Sequence, residues 1–238
     1  MTDPTIVAMG GGGFSDQAAE TPLDDQILEL ARQARSHPRP HVCFLPTASG
    51  DADGYITKFY SAFARRAEAT HLALFQRTVP DLERFLLEQD VIYVGGGNTA
   101  NMLAVWRVHG VDRILGRAWD EGIVLAGRSA GSICWFQGGT TDSFGGLDAL
   151  GDGLGCLPGR HSPHYDGESD RRPTYQHLIA SGALPAGYAV DDGAALVFHR
   201  TQLVDVVSER AGAGAYRVES GSEATAVETP LEARLLGQ

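Results

Sequence analysis

Ile123-Val124-Leu125-Ala126-Gly127-Arg128-Ser129-Ala130-Gly131-Ser132 is an apolar run that breaks into a serine set between two glycines. The run reads as a buried strand, and the residues after Ser132 suit a helix. A serine at so sharp a strand-to-helix turn carries a strained backbone, and small neighbours let the turn close. Its hydroxyl then stands up at the carboxyl edge of a sheet. It also meets a helix N-terminus, whose partial positive charge favours a developing oxyanion. Ser129 is therefore a candidate nucleophile, unless the segment is an ordinary turn with a capping serine.

Working outward, short apolar runs alternate with amphipathic ones. Strands are predicted at residues 5–9, 41–45, 70–75, 91–94 and 123–126. Helices are predicted at residues 24–34, 53–67, 81–88, 100–108 and 111–120. In the helix at 53–67, Tyr55, Phe59, Phe63 and Ala67 recur at steps of four. Such alternation implies an α/β fold: a mostly parallel central sheet with helices on both faces. After Gly138 glycine becomes dense, and short β-like runs appear at 187–190, 195–199, 203–207 and 215–218. This half reads as a mixed or antiparallel C-terminal extension. No composition shift marks a linker, so residues 1–238 are expected to form one domain.

The 238 residues are 43% hydrophobic and 21% charged, with net charge −11. That balance suits a sizeable core and argues against nucleic acid and anionic membranes, which reward basic patches. Met1-Thr2-Asp3-Pro4 lacks the features of a secretion signal, and no apolar stretch is long enough to cross a membrane. A cytoplasmic location with reduced thiols is expected. Of the three cysteines, Cys43 and Cys134 read as small core residues, and no C-x-x-C pair suggests a metal or redox site. No metal or cofactor is expected.

A serine nucleophile needs an oxyanion site and a base. Tyr93-Val94-Gly95-Gly96-Gly97-Asn98-Thr99 ends another predicted strand, and its glycines allow backbone N–H groups to approach a ligand. Gly96, Gly97 and Ala130 are the expected oxyanion donors. No G-x-x-x-x-G-K-[ST] pattern is present, and Gly10–Gly13 lacks the third glycine of a dinucleotide fingerprint. Among eight histidines, His161 and His164 share the breaker-rich segment Gly159-Arg160-His161-Ser162-Pro163-His164. His164, fixed by the preceding proline, is the expected base, with His161 as the alternative. Asp142, Asp148, Asp166, Glu168, Asp191 and Asp192 could each orient it, and spacing does not choose among them. Cys134 as nucleophile is a minor alternative.

The segments Val94-Gly95-Gly96-Gly97-Asn98-Thr99, Gly127-Arg128-Ser129-Ala130-Gly131 and Ser162-Pro163-His164 together resemble the peptidase E family of serine dipeptidases. That family includes the α-aspartyl dipeptidases and is related to cyanophycinases. The resemblance runs from about Thr5 to about Val207. It implies a fold like that of class I glutamine amidotransferases, with serine in place of cysteine. It also implies a Ser–Asp–His order matching Ser129, Asp142 and His164, with Asp192 of Asp192-Gly193 as reserve acid. Family members often carry glutamate at that reserve position.

The resemblance further implies a dipeptidase or aminopeptidase acting from a free N-terminus, with a preference for N-terminal aspartate in its best-known members. Asn98, Glu168, Arg171 and Arg172 are the candidate substrate-binding residues. An arginine would receive a carboxylate, and nearby acids the α-amino group. The arginines could equally be solvated residues that balance those acids. In Gly167-Glu168-Ser169-Asp170-Arg171-Arg172 extra residues separate Glu168 from Arg171, a departure from the family segment. The expected partner is a small peptide, with the oligomeric state open between monomer and homo-oligomer. Two rival readings are a cyanophycinase-like hydrolase of an aspartyl–arginine polymer and a catalytically silent amidotransferase-like ligand-binding domain.

Overall fold

The computed structural model describes residues 3–17 and 20–237. Met1 and Thr2, part of the segment read for a secretion signal, lie outside the described residues. The first half alternates as β1 (Thr5–Met9), α1 (Phe14–Gln17), α2 (Pro22–Arg35), β2 (His41–Leu45), α3 (Asp53–Phe63), β3 (Glu68–His71), α4 (Leu82–Leu87), β4 (Val91–Val94), α5 (Thr99–His109), α6 (Val111–Asp120), β5 (Val124–Arg128) and α7 (Ala130–Ile133). The second half runs β6 (Gly139–Thr141), β7 (Asp148–Leu150), β8 (Arg160–Ser162), α8 (Arg171–Ala180), β9 (Gly187–Val190), β10 (Ala194–His199), β11 (Gln202–Ser208), β12 (Ala215–Ser220), β13 (Ala226–Leu231) and β14 (Arg234–Leu235).

Two sheets result. The larger has the order β14-β11-β10-β1-β5-β4-β2-β3, in which β1, β5, β4, β2 and β3 are mutually parallel. β10 adds antiparallel to β1, and β11 antiparallel to β10. The smaller sheet has the order β13-β12-β9-β8-β6-β7. The α/β architecture read from the sequence is therefore present, and its extension divides: β10 and β11 widen the central sheet while β9 and β12 join the second.

The parallel strands are apolar throughout because helices cover both faces. Val7, Phe44, Tyr93 and Ala126 face α2 and α3, packing with Ile27, Leu28, Phe59 and Phe63. Ile6, Cys43, Ile92 and Leu125 face the other layer, with Leu86, Met102, Trp106 and Leu115. Helix ends follow local chemistry. The Thr21 side chain accepts from Asp24 N–H at the start of α2, and Pro22 opens the helix without a wasted donor. Asp81 and Asn98 cap α4 and α5 in the same way.

Two predicted elements shift. α3 stops at Phe63 rather than Ala67, because the Arg39 guanidinium takes the carbonyls of Ala64, Arg65 and Ala67. The strand expected at 70–75 lies at Glu68–His71. Beyond it the N–H groups of Leu74 and Phe75 donate to Asp51 Oδ2 at 2.6 and 2.8 Å, so that backbone leaves the sheet.

The ends of β1, β5 and β4, neighbours in the sheet, carry the three glycine-bearing turns. Gly11 at the end of β1 also bridges to Asp192 after β9. The carboxyl edge of the central sheet thus meets the second sheet, the edge where open α/β sheets place their ligands.

Candidate active site

Ser129 lies between β5 and α7 with φ 53° and ψ −119°. A non-glycine residue at such a positive φ costs on the order of 1–3 kcal/mol and persists only where its surroundings hold it. They do so here. Ser129 N–H donates to Met9 O, and Ser129 O accepts from Ser132 N–H, Ile133 N–H and Ser132 Oγ. A Cβ on Gly127 would sit 2.2 Å from Gly131 O, and one on Gly131 would sit 2.2 Å from Val94 O. The two glycines that frame the serine therefore leave no room for any other residue.

His164 follows β8 and also has a positive φ, 53°. Its Nδ1 lies 2.6 Å from Asp192 Oδ1. The hydrogen bond from His164 holds the Asp192 carboxyl below the usual range, so it is ionised. An ionised carboxylate only accepts, so Nδ1 carries a proton towards it, and in the neutral imidazole Nε2 is then the acceptor. Asp192 is held in turn: its N–H donates to Asp166 Oδ1, and Arg210 reaches both its carbonyl and Asp166. Gly11 makes room for the pair, since a Cβ there would sit 2.0 Å from Asp192 Oδ1 and 3.2 Å from His164 Cε1. Met9 and Gly11 thus tie Ser129 and His164 to one strand end. No described hydrogen bond links Ser129 Oγ to His164.

The acid implied by the resemblance forms no described hydrogen bond to His164. Asp142 is exposed, its carboxylate makes no described hydrogen bond, and it lines a pocket beside Ser129. Asp192, the reserve, is the one that touches His164. Asp142 follows β6 and Asp192 follows β9; β8 lies between those two strands, and it is the loop after β9, bridged to Gly11, whose acid meets the imidazole.

The glycine turn after β4 approaches Ser129 closely: a Cβ on Gly96 would lie 3.3 Å from Ser129 Cβ. The Gly96 N–H is not free for a ligand, because it donates to Tyr55 Oη at 3.2 Å. That hydroxyl also lies 2.5 Å from Ser15 Oγ. Among the described hydrogen bonds none uses the N–H of Gly97 or of Ala130, so these two of the three expected donors stand free. Tyr55 as the anchor of this turn was not foreseen; its place in an aromatic helical stripe marked it only as core.

A pocket of about 240 Å³ is lined by Gly97, Asn98, Ser129, Asp142, Glu168 and Arg171. A larger cavity of about 520 Å³ near Asp51, Asp53 and His71 holds none of the predicted site residues. Asn98 borders the small pocket with both ends of its amide engaged: Oδ1 accepts from Asn101 N–H and Nδ2 donates to Ser143 O. Arg171 is buried, and its Nε donates to Glu168 Oε2 at 2.6 Å while Nη1 donates to Thr140 O at 3.1 Å. Arg172 is not in the pocket. One step along α8 it turns to the opposite side, pairs with Glu228 and lies over the rings of Tyr165 and Tyr216.

Two alternatives close here. His161 is fully buried, stacked on Phe136 and bonded through Nε2 to Ser132 Oγ at 2.9 Å. Burial, reinforced by the charges of Arg171 and His164, pushes its pKa down to about 3, so it stays neutral beneath the Ser129 turn. Cys134 is buried with its thiol pKa driven well up by desolvation, which removes the thiolate a nucleophile requires. The Arg128–Asp16 ion pair beneath the site was also not foreseen; Asp16 accepts the Gly12 N–H at 2.7 Å and so links Arg128 to the first glycine loop.

The model of peptidase family S51 matches residues 6–206. The chain belongs to peptidase family S51. Within the curated proteins, the uncharacterized peptidase YgaJ of Bacillus subtilis (strain 168) is 51% identical over 233 residues, covering 98% of this chain and 99% of YgaJ. The crystal structure of a peptidase from an acI-B1 Actinobacterium has a similar fold, with TM-score 0.69 at 18% identity over 97% of this chain and 95% of that one. A protein assigned as peptidase E from Listeria monocytogenes EGD-e is similar at TM-score 0.58 and 18% identity, over 97% of this chain and 100% of that one. The peptidase E resemblance seen in the three motifs is thereby borne out. Membership in S51 makes hydrolysis of peptide bonds the activity class of the chain. Among the described residues no helix is long and apolar enough to cross a membrane.

Proposed function

We propose that this S51 member is a serine peptidase that releases residues from short peptides with a free N-terminus, with Ser129, His164 and Asp192 as its catalytic set. The observation that carries the reading is the 2.6 Å bond between His164 Nδ1 and Asp192 Oδ1, which leaves Nε2 ready to take a proton. Ser129 Oγ attacks the scissile carbonyl as His164 Nε2 removes its proton. Asp192 holds the imidazole tautomer and stabilises the imidazolium that forms. The N–H groups of Gly97 and Ala130 receive the oxyanion. His164 gives its proton to the leaving amine, then activates the water that hydrolyses the acyl-enzyme.

The pocket beside Ser129 supports the free N-terminus. The carboxylates of Glu168 and Asp142 would receive the α-ammonium group, and a blocked amine would leave them facing an apolar cap. Aspartate preference would need an arginine open to the substrate side chain. Arg172 is paired with Glu228 outside the pocket, which leaves Arg171, bonded to Glu168 and Thr140 but with Nη2 unengaged, as the one arginine of the two that lines it.

A fluorophosphonate probe tests the reading, since only an activated serine reacts. The expected result is one label, located on Ser129 by peptide mass spectrometry, together with loss of turnover on dipeptides such as Ala-Leu. A protein that cleaves dipeptides but carries the label elsewhere, or takes none, contradicts it.

A further inference from the structure

His164 and Asp192 each have a sequence neighbour tied to the same distant hairpin. Tyr165, after His164, is buried, and its hydroxyl donates to Glu228 Oε2 on β13 at 2.6 Å. Asp191, before Asp192, is also buried. Its Oδ2 accepts from Tyr216 Oη on β12 at 3.3 Å and from Gly214 N–H at 3.0 Å. Arg172 joins the two anchors: it pairs with Glu228, and its guanidinium lies 5.2 Å from the Tyr165 ring centre and 5.0 Å from that of Tyr216. Gln176 Nε2 donates to Glu228 Oε2 at 2.9 Å, so this carboxylate takes three donors with its side chain 14% exposed. Residues 214–231, which carry the hairpin, lie beyond the residues 6–206 that the family model matches.

Resting on the proposed roles of His164 and Asp192, we propose that Tyr165, Tyr216 and Glu228 are positioning residues, through which the β12–β13 hairpin sets the approach of the imidazole to the carboxylate. None of the three lines the pocket beside Ser129, so they act through His164 and Asp192 and not on substrate. His164 sits at φ 53°, a backbone state that persists only where its surroundings hold it. The residue that follows it is held at both ends. Tyr165 N–H donates to Val190 O at 3.1 Å, two residues before Asp192, and the Tyr165 hydroxyl is fixed by Glu228. A shift of the hairpin therefore moves the histidine loop and the aspartate loop relative to one another. A misplacement of about 1 Å in such a pair can cost on the order of a hundredfold in rate.

The test uses Tyr165→Phe and Tyr216→Phe, which remove one hydroxyl each and keep the buried rings, and Val227→Ala, a change on the same hairpin outside the hydrogen-bond network. On Ala-Leu both tyrosine variants should lose about tenfold or more in kcat with KM within about twofold, whereas Val227→Ala should change neither. The second readout needs no turnover. The proton in the 2.6 Å bond between His164 Nδ1 and Asp192 Oδ1 should give a far-downfield proton NMR resonance, identified by its absence from His164→Ala. It should move upfield or broaden in both tyrosine variants and stay in place in Val227→Ala. The proposal stands if kcat and the resonance both respond in the tyrosine variants alone. It falls if either is unmoved in them, if Val227→Ala shares the loss, or if the unaltered protein shows no such resonance. If the unaltered protein cleaves no dipeptide, the peptidase reading fails, and the resonance alone decides whether the hairpin positions the pair.

Discussion

The two sheets divide the candidate site between them, and they do so unequally. The central sheet supplies the parts fixed by backbone: the Ser129 turn after β5, the Gly97 turn after β4 and the Gly11 approach after β1. The second sheet and its loops supply the titrating and charged side chains: His164, Asp192, Asp142, Glu168 and Arg171. The first region is built on strands buried on both faces. The second rests on a smaller core of Tyr165, Tyr175, Ile179, Leu184, Ala189 and Val218, with its outer strand β13 largely exposed. A rigid turn from one region and a proton carrier from the other must meet at Gly11 and Asp192.

The sharpest way to break this division is at the turn. Ser129→Ala should fold normally and lose activity by on the order of 10⁶ in kcat, as for other triad nucleophiles. A variant retaining a few per cent of dipeptide turnover would mean that the central sheet does not carry the nucleophile.

The unequal cores can be weighed by thermal or denaturant unfolding. Phe14 is fully buried, with the rings of Phe44, Phe63 and Tyr93 at 5.4, 5.7 and 5.1 Å. Phe14→Ala should cost about 3–5 kcal/mol. Val227 on β13 is half-exposed, and Val227→Ala should stay within about 0.5 kcal/mol. A loss at Val227 as large as that at Phe14 would mean that β13 is packed far more tightly than its exposure indicates.

The two regions should also respond oppositely to pH. Asp24 on α2 is buried, its Oδ1 has no hydrogen-bond partner, and desolvation raises its pKa to about 7. An unfolded aspartate titrates near 3.9, so the folded protein holds a proton there that the unfolded chain has released. That contribution to stability is complete below about pH 4 and fades as pH rises through about 7. Asp192 has its pKa lowered by the His164 hydrogen bond. Its contribution is present above about pH 4 and fades as pH falls through the depressed folded value. Asp24→Asn should flatten the stability profile between pH 4 and 7, and Asp192→Asn should flatten only its acid end. An unchanged slope in Asp24→Asn would show that the buried acid stays charged.

The smallest expected effect is that of chelation. A mechanism of serine, histidine and backbone donors uses no Lewis acid, so EDTA should leave dipeptide turnover unaltered. Loss of activity restored by zinc would move the chemistry away from Ser129.

The same contrast governs what could be read from the chain. β1, β2, β4 and β5 are continuous apolar runs, because both of their faces are covered, and the glycines at their ends mark where backbone must approach backbone. β6, β7 and β8 are three residues each, such as Gly139-Thr140-Thr141 and Arg160-His161-Ser162. They hold no apolar pattern, and their pairing depends on partners far along the chain. Ser129, His164, Gly97 and Ala130 were legible as candidates because a turn, a proline or a strand end constrains them locally. The choice between Asp142 and Asp192 was not, because it rests on which loop of the second sheet lies over Gly11. Arg171 and Arg172 are neighbours in sequence and look alike. Their fates separate only through Glu228, 56 residues downstream, and Thr140, 31 residues upstream.

The central claim is that the acid of the second sheet that orients His164 is Asp192 and not Asp142. Its direct test is kcat for Asp192→Asn and Asp142→Asn on one dipeptide, with circular dichroism to confirm folding. Asp192→Asn should lower kcat by about 10⁴, the loss seen when a triad acid can no longer fix its histidine tautomer. Asp142→Asn should act mainly on KM. A large kcat loss in Asp142→Asn with Asp192→Asn nearly unaffected would contradict the account.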